Sequence, residues 1–230
     1  MLGIIGAMDE EVREIKEALE DVTVELAAGM EFYTGTTKGK RIVTVRSGIG
    51  KVNAAMCSQI LVDRFGVDAI VNTGIAGSLR PEINISDIVL SNDSVQHDMD
   101  ATGFDYPVGQ IPRVDTFAFP ADERLLQIAQ ECCHQVNPEI QTFVGRVLSG
   151  DQFISDKGKK QQLIDNFGGY CTEMEGAAIA QVCYLNKIGC LIIRAISDKA
   201  DDSANMDYQE FEEQAIAHSV KLVLAIAERY

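Results

Sequence analysis

Carboxylates at the abrupt ends of apolar runs are the first residues in this sequence whose placement points to chemistry. Glu173–Met174–Glu175 precedes the apolar stretch 176–185, and Asp198, with Arg194 and Ser197 just before it, ends the apolar run 190–196. A closely spaced Glu–Met–Glu is hard to explain as ordinary core, because a buried carboxylate is costly unless something pairs with it. If the two run ends face each other across a pocket, carboxylates reach one ligand from two points, with an apolar side chain between the glutamates. Such a pocket can grip a sugar and the heterocycle attached to it.

Those ends need a scaffold, and the chain alternates strand and helix signals. Residues 2–8 form a short apolar run that predicts a buried strand. Asp9 can then cap a helix with Val12, Ile15, Ala18 and Leu19 on one face, which puts Glu11 in the first helical turn. Segments through Phe32–Tyr33 and 41–46, joined by Lys38–Gly39–Lys40, predict a hairpin and therefore a mixed sheet. Ser47–Gly48–Ile49–Gly50–Lys51 lies between a strand and a helix over about 53–65, and reads either as backbone brought close to a ligand or as a plain structural turn. Its spacing is neither a dinucleotide fingerprint nor a phosphate loop. A buried strand over 69–73 runs into Gly74–Ile75–Ala76–Gly77, expected as a second glycine turn, and 149–155 supplies a third after a strand over 142–148. Turns gathered at strand ends form the crevice where open α/β sheets bind ligands.

Further along, a strand over 87–92, helices over 122–136, 157–167 and 176–185, and a strand over 190–196 are expected. A polar loop over 198–208 and an amphipathic helix over 211–227 close the chain. The stretch 97–119 is long, aromatic and proline-punctuated, and serves either as a surface cover or as a lid or interface segment. The pattern predicts one α/β domain over 1–230, a twisted mixed central sheet flanked by helices on both faces.

Bulk properties narrow the function classes. A content of 46% hydrophobic and 24% charged residues suits one compact core. The formal charge of -15 argues against non-specific binding to nucleic acid or acidic membranes, which needs clustered Lys and Arg. The apolar start runs at once into Asp9, Glu10 and Glu11 with no basic residue before it, and no stretch is long enough to span a membrane, so a cytoplasmic protein is expected. The six cysteines lie mostly in apolar segments, with neither a C-x-x-C pair nor a histidine at zinc spacing. Buried thiols are expected, with no metal site and no cofactor. His97, His134 and His218 are read as structural.

Gly6–Ala7–Met8 with Glu11, Ser47 to Asn53, Asn72–Thr73–Gly74, His97–Asp98 through Gln110–Ile111–Pro112, Ser149–Gly150–Asp151 with Phe153–Ile154, Glu173–Met174–Glu175 and Arg194 to Asp198 occur in order over nearly the whole chain. Together they resemble the 5′-methylthioadenosine/S-adenosylhomocysteine nucleosidases of the nucleoside phosphorylase superfamily. The resemblance implies a single-domain α/β fold, typically a homodimer, acting on a small nucleoside. The implied reaction is hydrolysis of the N-glycosidic bond, giving adenine and the 5-thioribose product. Such cleavage passes through an oxocarbenium-like state, so the leaving base must be neutralised and a water delivered to the anomeric carbon.

The resemblance also implies roles. Asp198, helped by Ser197, protonates adenine N7, and Glu11 activates the water with Arg194 helping to position it. Glu175 holds the ribose hydroxyls, Met174 packs on the ribose, and Glu173 is either a secondary contact or a paired carboxylate. Phe153 stacks on adenine while the Ile154 backbone reads its edge, and Ala76 and Gly77 also contact substrate. Met8, Ile49 and Phe211 enclose the 5′ group, joined by Phe104 and Pro112 of a partner subunit whose 97–119 loop approaches the neighbouring site. On the residues alone, Asp198 serves equally as a loop cap, Glu11 as a first-turn glutamate favoured by the helix dipole, and the apolar members as core.

A phosphorylase must hold a phosphate dianion with arginine, and the phosphorylases of the superfamily carry one just before the Gly74 turn, where this chain has Asn72. Hydrolysis is therefore expected ahead of a purine or uridine phosphorylase, and ahead of a catalytically silent nucleoside-binding protein. Ile75, Ser78 and Tyr208 depart from the nucleosidase pattern and put the shape of the ribose and 5′ pockets in question. Another 5′-substituted adenosine, such as aminodeoxyfutalosine, stays open as substrate.

Overall fold

The computed structural model describes residues 1–230. It opens with β1 (Leu2–Gly6), buried at every residue, followed by α1 (Asp9–Glu17). The strands β2 (Glu20–Ala27), β3 (Met30–Thr37) and β4 (Lys40–Arg46) form an antiparallel meander. Its second turn is Lys38–Gly39, with φ of 45° and 79°, the left-handed pair that matches the twist of a two-residue hairpin. Then come α2 (Lys51–Phe65), β5 (Ala69–Asn72), β6 (Ile75–Ser78) and β7 (Ile88–Gln96). After the 97–119 stretch, which holds one 3-10 turn at Thr102–Phe104, follow β8 (Phe119–Pro120), α3 (Glu123–Val136), β9 (Thr142–Ser149) and α4 (Lys157–Phe167). The chain closes with β10 (Cys171–Glu173), α5 (Gly176–Asn186), β11 (Gly189–Asp198) and α6 (Ala204–Arg229).

The eleven strands are ordered β2-β3-β4-β1-β5-β11-β6-β10-β9-β7-β8, and β11 also pairs with β7. β11 is the hinge of this arrangement. Its first residues, Gly189 to Ile192, run parallel to β5, while Ile193 to Ala195 lie antiparallel to β7 and Ala195 to Asp198 lie parallel to β6. The circuit β11-β6-β10-β9-β7 therefore closes into a small barrel, from which β5, β1, β4, β3 and β2 extend as an open wing. A register shift between Ile196 and Asp198 marks a bulge at the exit of β11, the local device that re-aims a side chain at a barrel rim.

Helices cover both faces, as expected. Ile15 of α1, Leu125 and Ala129 of α3 and Val220 and Val223 of α6 share one core with β1, β5 and β11. Ala54, Cys57 and Leu61 of α2 and Ile179 and Cys183 of α5 share the other. A smaller cluster tucks Leu163 and Phe167 of α4 against Leu79, Val95 and Leu148. All six cysteines are buried free thiols, and no helix is long and apolar enough to cross a membrane.

Two expectations need correction. Residues 75–78 form a strand, not a turn: β6 is wedged between β10 and β11, and those partners override the local turn preference of its glycine. The final helix begins at Ala204, seven residues before the expected start at 211. The polar residues read as loop organise the helix start instead. Asp201 accepts from the Ser203 amide and hydroxyl at 3.1 and 2.9 Å, and the Ser203 hydroxyl lies 2.6 Å from Asp207.

Candidate active site

Four carboxylates, Glu11, Asp198, Glu175 and Glu173, line one cavity of about 360 Å³ at the rim where β1, β6, β10 and β11 end. The first is Glu11. It sits in the first turn of α1, as expected, and its side chain curls back over the end of β1, accepting from the Ala7 amide at 2.6 Å and the Met8 amide at 3.0 Å. Its other oxygen receives the Ile75 amide at 3.3 Å. Glycine makes room for it. A Cβ at Gly74 would lie 2.6 Å from Glu11 Oε1, and one at Gly6 would lie 2.9 Å from Glu11 Cβ. Burial raises the Glu11 pKa above the ordinary carboxylate value, opposed by the Arg194 charge and the three amides.

The second is Asp198, carried into the cavity by the bulge of β11. Its oxygens receive the Ala200 amide at 2.7 Å and the Ser197 hydroxyl at 2.8 Å. Gly77 on β6 lies directly beneath, where a Cβ would sit 2.7 Å from Asp198 Oδ1. Burial again raises the pKa, with the hydrogen bonds opposing it. A carboxyl group held in this way can keep a proton to give.

Glu175, the third, ends the β10–α5 connection. Burial and the neighbouring Glu173 charge push its pKa up to about 7, against the pull of Arg194 and of the Gly50 amide, which donates to it at 2.8 Å. Glu173 is the paired member of the motif. It bonds Ser149 and the buried Arg194, and accepts from the Gly176 amide at 2.8 Å at the start of α5. The Ala177 amide donates to the Ser149 hydroxyl at 2.6 Å, so the helix N-terminus and the arginine together compensate one buried charge.

The Gly48–Gly50 turn does not cradle a ligand anion. Gly48 and Gly50 adopt φ of 84° and 96°, which aims the amides of Gly50 and Lys51 at the protein's own Glu175 and Asp151. Lys51 Nζ in turn meets Asp98 at 2.6 Å, tying this turn to the 97–119 stretch.

The cavity thus brings together Met8, Glu11, Ile49, Ala76, Gly77, Phe153, Glu173, Met174, Glu175, Ser197 and Asp198 from the sequence-derived set. Five members of that set lie elsewhere. Arg194 is buried beneath the cavity, bonded to Asn72, the Ile193 carbonyl and Glu173. Ile154 is buried in the small cluster behind Phe153. Phe104 is 81% exposed on the outer loop and Pro112 is half-buried there; neither reaches the cavity of its own chain. Phe211 lines a separate depression with Asn84, Asp87, Gln214 and His218. Helical periodicity explains this correction: Phe211, Gln214 and His218 share one face of α6, while Asn205, Tyr208 and Gln209 share the face toward the cavity.

Asn205, Tyr208 and Gln209 thus line the cavity, although Asn205 and Tyr208 fall in the expected loop and Gln209 lies between that loop and the expected helix start at 211. Extending the helical period of α6 back by two turns is the signal that finds them. Thr172 on β10 and Ile75 on β6 also line the cavity. His97, expected to be structural, is buried outside the cavity lining with both ring nitrogens unpartnered, and burial lowers its pKa.

No lysine or arginine is among the lining residues. The arrangement can hold a proton on one side, take one up on the other, and bind hydroxyl groups between, without a site for a dianion.

Comparisons with known proteins agree with this geometry. The family model described as the phosphorylase superfamily matches residues 1–228. A 5′-methylthioadenosine/S-adenosylhomocysteine nucleosidase from Bacillus velezensis is 41% identical over 229 residues, covering 99% of this chain and 98% of the relative. The crystal structure of the nucleosidase of that name from Neisseria meningitidis, in complex with methylthio-immucillin-A, superposes with a TM-score of 0.96 at 34% identity, covering 100% of this chain and 99% of that one. A futalosine hydrolase of Helicobacter pylori gives a TM-score of 0.94 at 34% identity, covering 100% and 97%.

Proposed function

The chain belongs to the phosphorylase superfamily, and within it to the 5′-methylthioadenosine/S-adenosylhomocysteine nucleosidases; from that premise we propose that its cavity hydrolyses the N-glycosidic bond of these two nucleosides, releasing adenine. The observation that carries hydrolysis is the lining itself: four carboxylates and no cationic side chain. A phosphate nucleophile would find acidic side chains and no cationic lining group to hold it, whereas a neutral water needs none.

The chemistry follows from the two opposed carboxyl groups. Asp198 donates its proton to adenine N7 as the C1′–N9 bond breaks and its electron pair passes into the base. Ser197 and the Ala200 amide hold the carboxylate that results. On the other side Glu11 takes a proton from water as its oxygen bonds to C1′. Its raised pKa suits a base working near neutrality, and Ala7, Met8 and Ile75 fix its direction. Glu175 holds the ribose hydroxyls, Met174 supports the ring, and Phe153, 48% exposed beside the cavity, stacks on the base. Arg194 acts from below, by setting Glu173 and the local field.

The protein pairs with a second copy through the mouth of α2. Ile49, Val52 and Met56 present apolar side chains 54%, 77% and 38% exposed, and Phe104 on the 97–119 loop is 81% exposed. The Lys51–Asp98 ion pair joins these two segments into one surface. Across such an interface Phe104 and Pro112 would reach the partner's cavity, where this chain's own cavity has no aromatic cover beyond Phe153 and Tyr208. Six free, buried thiols accord with a reducing compartment, and so with the cytoplasm.

Purified protein incubated with methylthioadenosine is expected to release adenine at the same rate with and without phosphate. Release that depends on phosphate would overturn the hydrolase reading in favour of a phosphorylase.

A further inference from the structure

The outer end of the cavity is closed by α6, which presents Asn205, Tyr208 and Gln209 to the interior. These are hydrogen-bonding side chains at the end where a methylthio group would ask only for apolar contact. Tyr208 has one phenolic proton and donates it to Glu212 Oε1 at 2.9 Å, which leaves its oxygen with acceptor capacity alone. That oxygen touches Met8 Sδ at 3.5 Å, and Met8 lines the cavity, so the polar edge of Tyr208 belongs to the 5′ end. Glu212 stands one turn behind, on the same face of α6 as Asn205 and Gln209, and adds a carboxylate charge. The Tyr208 ring is fixed independently by its edge-on contact with Phe153, the centroids 6.0 Å apart at 86°.

An acceptor oxygen backed by negative charge is matched by a group with several N–H donors and a positive charge. An uncharged alkyl tail would strip water from these polar groups and return nothing. Resting on the nucleosidase reading above, we propose that Tyr208, backed by Glu212, is a specificity-determining residue that favours adenosine derivatives whose 5′ substituent ends in an ammonium group over those ending in an alkyl group. Asn205 and Gln209, with both donors and acceptors, complete the polar end around the remainder of such a tail.

The test compares kcat/KM for three probes of similar reach. They are S-adenosylhomocysteine, 5′-butylthioadenosine, and the analogue that keeps the homocysteinyl carboxylate but lacks the ammonium. Wild-type protein is expected to prefer the first. Tyr208→Phe and Glu212→Gln are each expected to lower the ratio of S-adenosylhomocysteine to butylthioadenosine by about ten- to a hundredfold, the scale of a lost hydrogen bond to a charged group. The carboxylate-only analogue should gain relative to S-adenosylhomocysteine in Glu212→Gln. An unchanged ratio, or equal losses on all three probes, would overturn the assignment, because a purely structural role moves all of them together. If wild-type protein releases adenine from none of them, the nucleosidase reading itself falls. Cleavage of all three with unaltered ratios in the variants removes only the specificity role.

Discussion

Two carboxyl groups with burial-raised pKa values, Asp198 and Glu11, line the cavity with different supports, and the tasks proposed for them rest on that difference. Asp198 is held by one hydroxyl and one amide, and Glu11 by three amides. Replacing Asp198 with Asn keeps the shape and removes the transferable proton; methylthioadenosine turnover is expected to fall by about 10²- to 10⁴-fold, the range of general acid catalysis, as read by adenine release. Turnover surviving almost unchanged would rule out N7 protonation by this residue. Glu175 carries a stability consequence. Its pKa is pushed up to about 7 from 4.5, so between these values the folded protein binds a proton that the unfolded chain has released. The Glu175 contribution to stability is therefore fully present below the unfolded value and is lost as pH rises through about 7, and Glu11 and Asp198, also raised, contribute in the same direction. Denaturation midpoints at pH 5.5 and pH 8 should differ less in Glu175→Gln than in wild type, and an equal difference would contradict this account.

At the scale of elements, β6 is the decisive piece. It is only four residues long, yet Gly74 before it and Gly77 within it each clear space for one carboxylate of the cavity, Glu11 and Asp198. Gly74→Ala would press a methyl group to 2.6 Å from Glu11 Oε1. Since Glu11 is held by backbone amides, it must tilt away from them, and kcat should fall by about tenfold or more while the denaturation midpoint shifts far less than for a core cavity mutation. Parallel loss of folding and activity would instead mark Gly74 as a fold residue. β11 is the complementary piece: its first half belongs to the open wing and its second half to the barrel, and the bulge between Ile196 and Asp198 turns Asp198 into the cavity.

At the scale of the whole molecule, the proposed pairing rests on the exposed apolar side chains of Ile49, Val52, Met56 and Phe104. Val52, 77% exposed on α2, is the most accessible apolar side chain of that helix. Val52→Glu is expected to convert dimers to monomers in sedimentation velocity without lowering the thermal midpoint of the subunit. If the 97–119 loop completes the neighbouring 5′ pocket, KM for methylthioadenosine should rise in the monomer more than kcat falls. A wild-type chain that sediments as a monomer at micromolar concentration would exclude this assembly.

Much of this was legible in the sequence because burial writes itself into local pattern. β1 and, Arg194 apart, residues 190–196 of β11 read as apolar runs since neighbours cover both their faces. Glu173–Met174–Glu175 and Asp198 stood out because charge at the end of such a run demands compensation, and the order of the motifs along the chain carried the family resemblance. Other features are set by contacts distant in sequence. Residues 75–78 become a strand only because β10 and β11 flank them, and Glu173 turns out to be paired because Arg194 arrives from another strand. Whether Phe211 or Tyr208 faces the ligand depends on where α6 starts and how it is rotated, and the docking of that helix on the barrel rim fixes both. The sequence by itself determined the alternation of elements and the carboxylates available for chemistry. Only the tertiary structure decided which of them share a cavity, because a one-residue rotation of a helix redirects a side chain by 100° without altering the composition that a sequence reading sees.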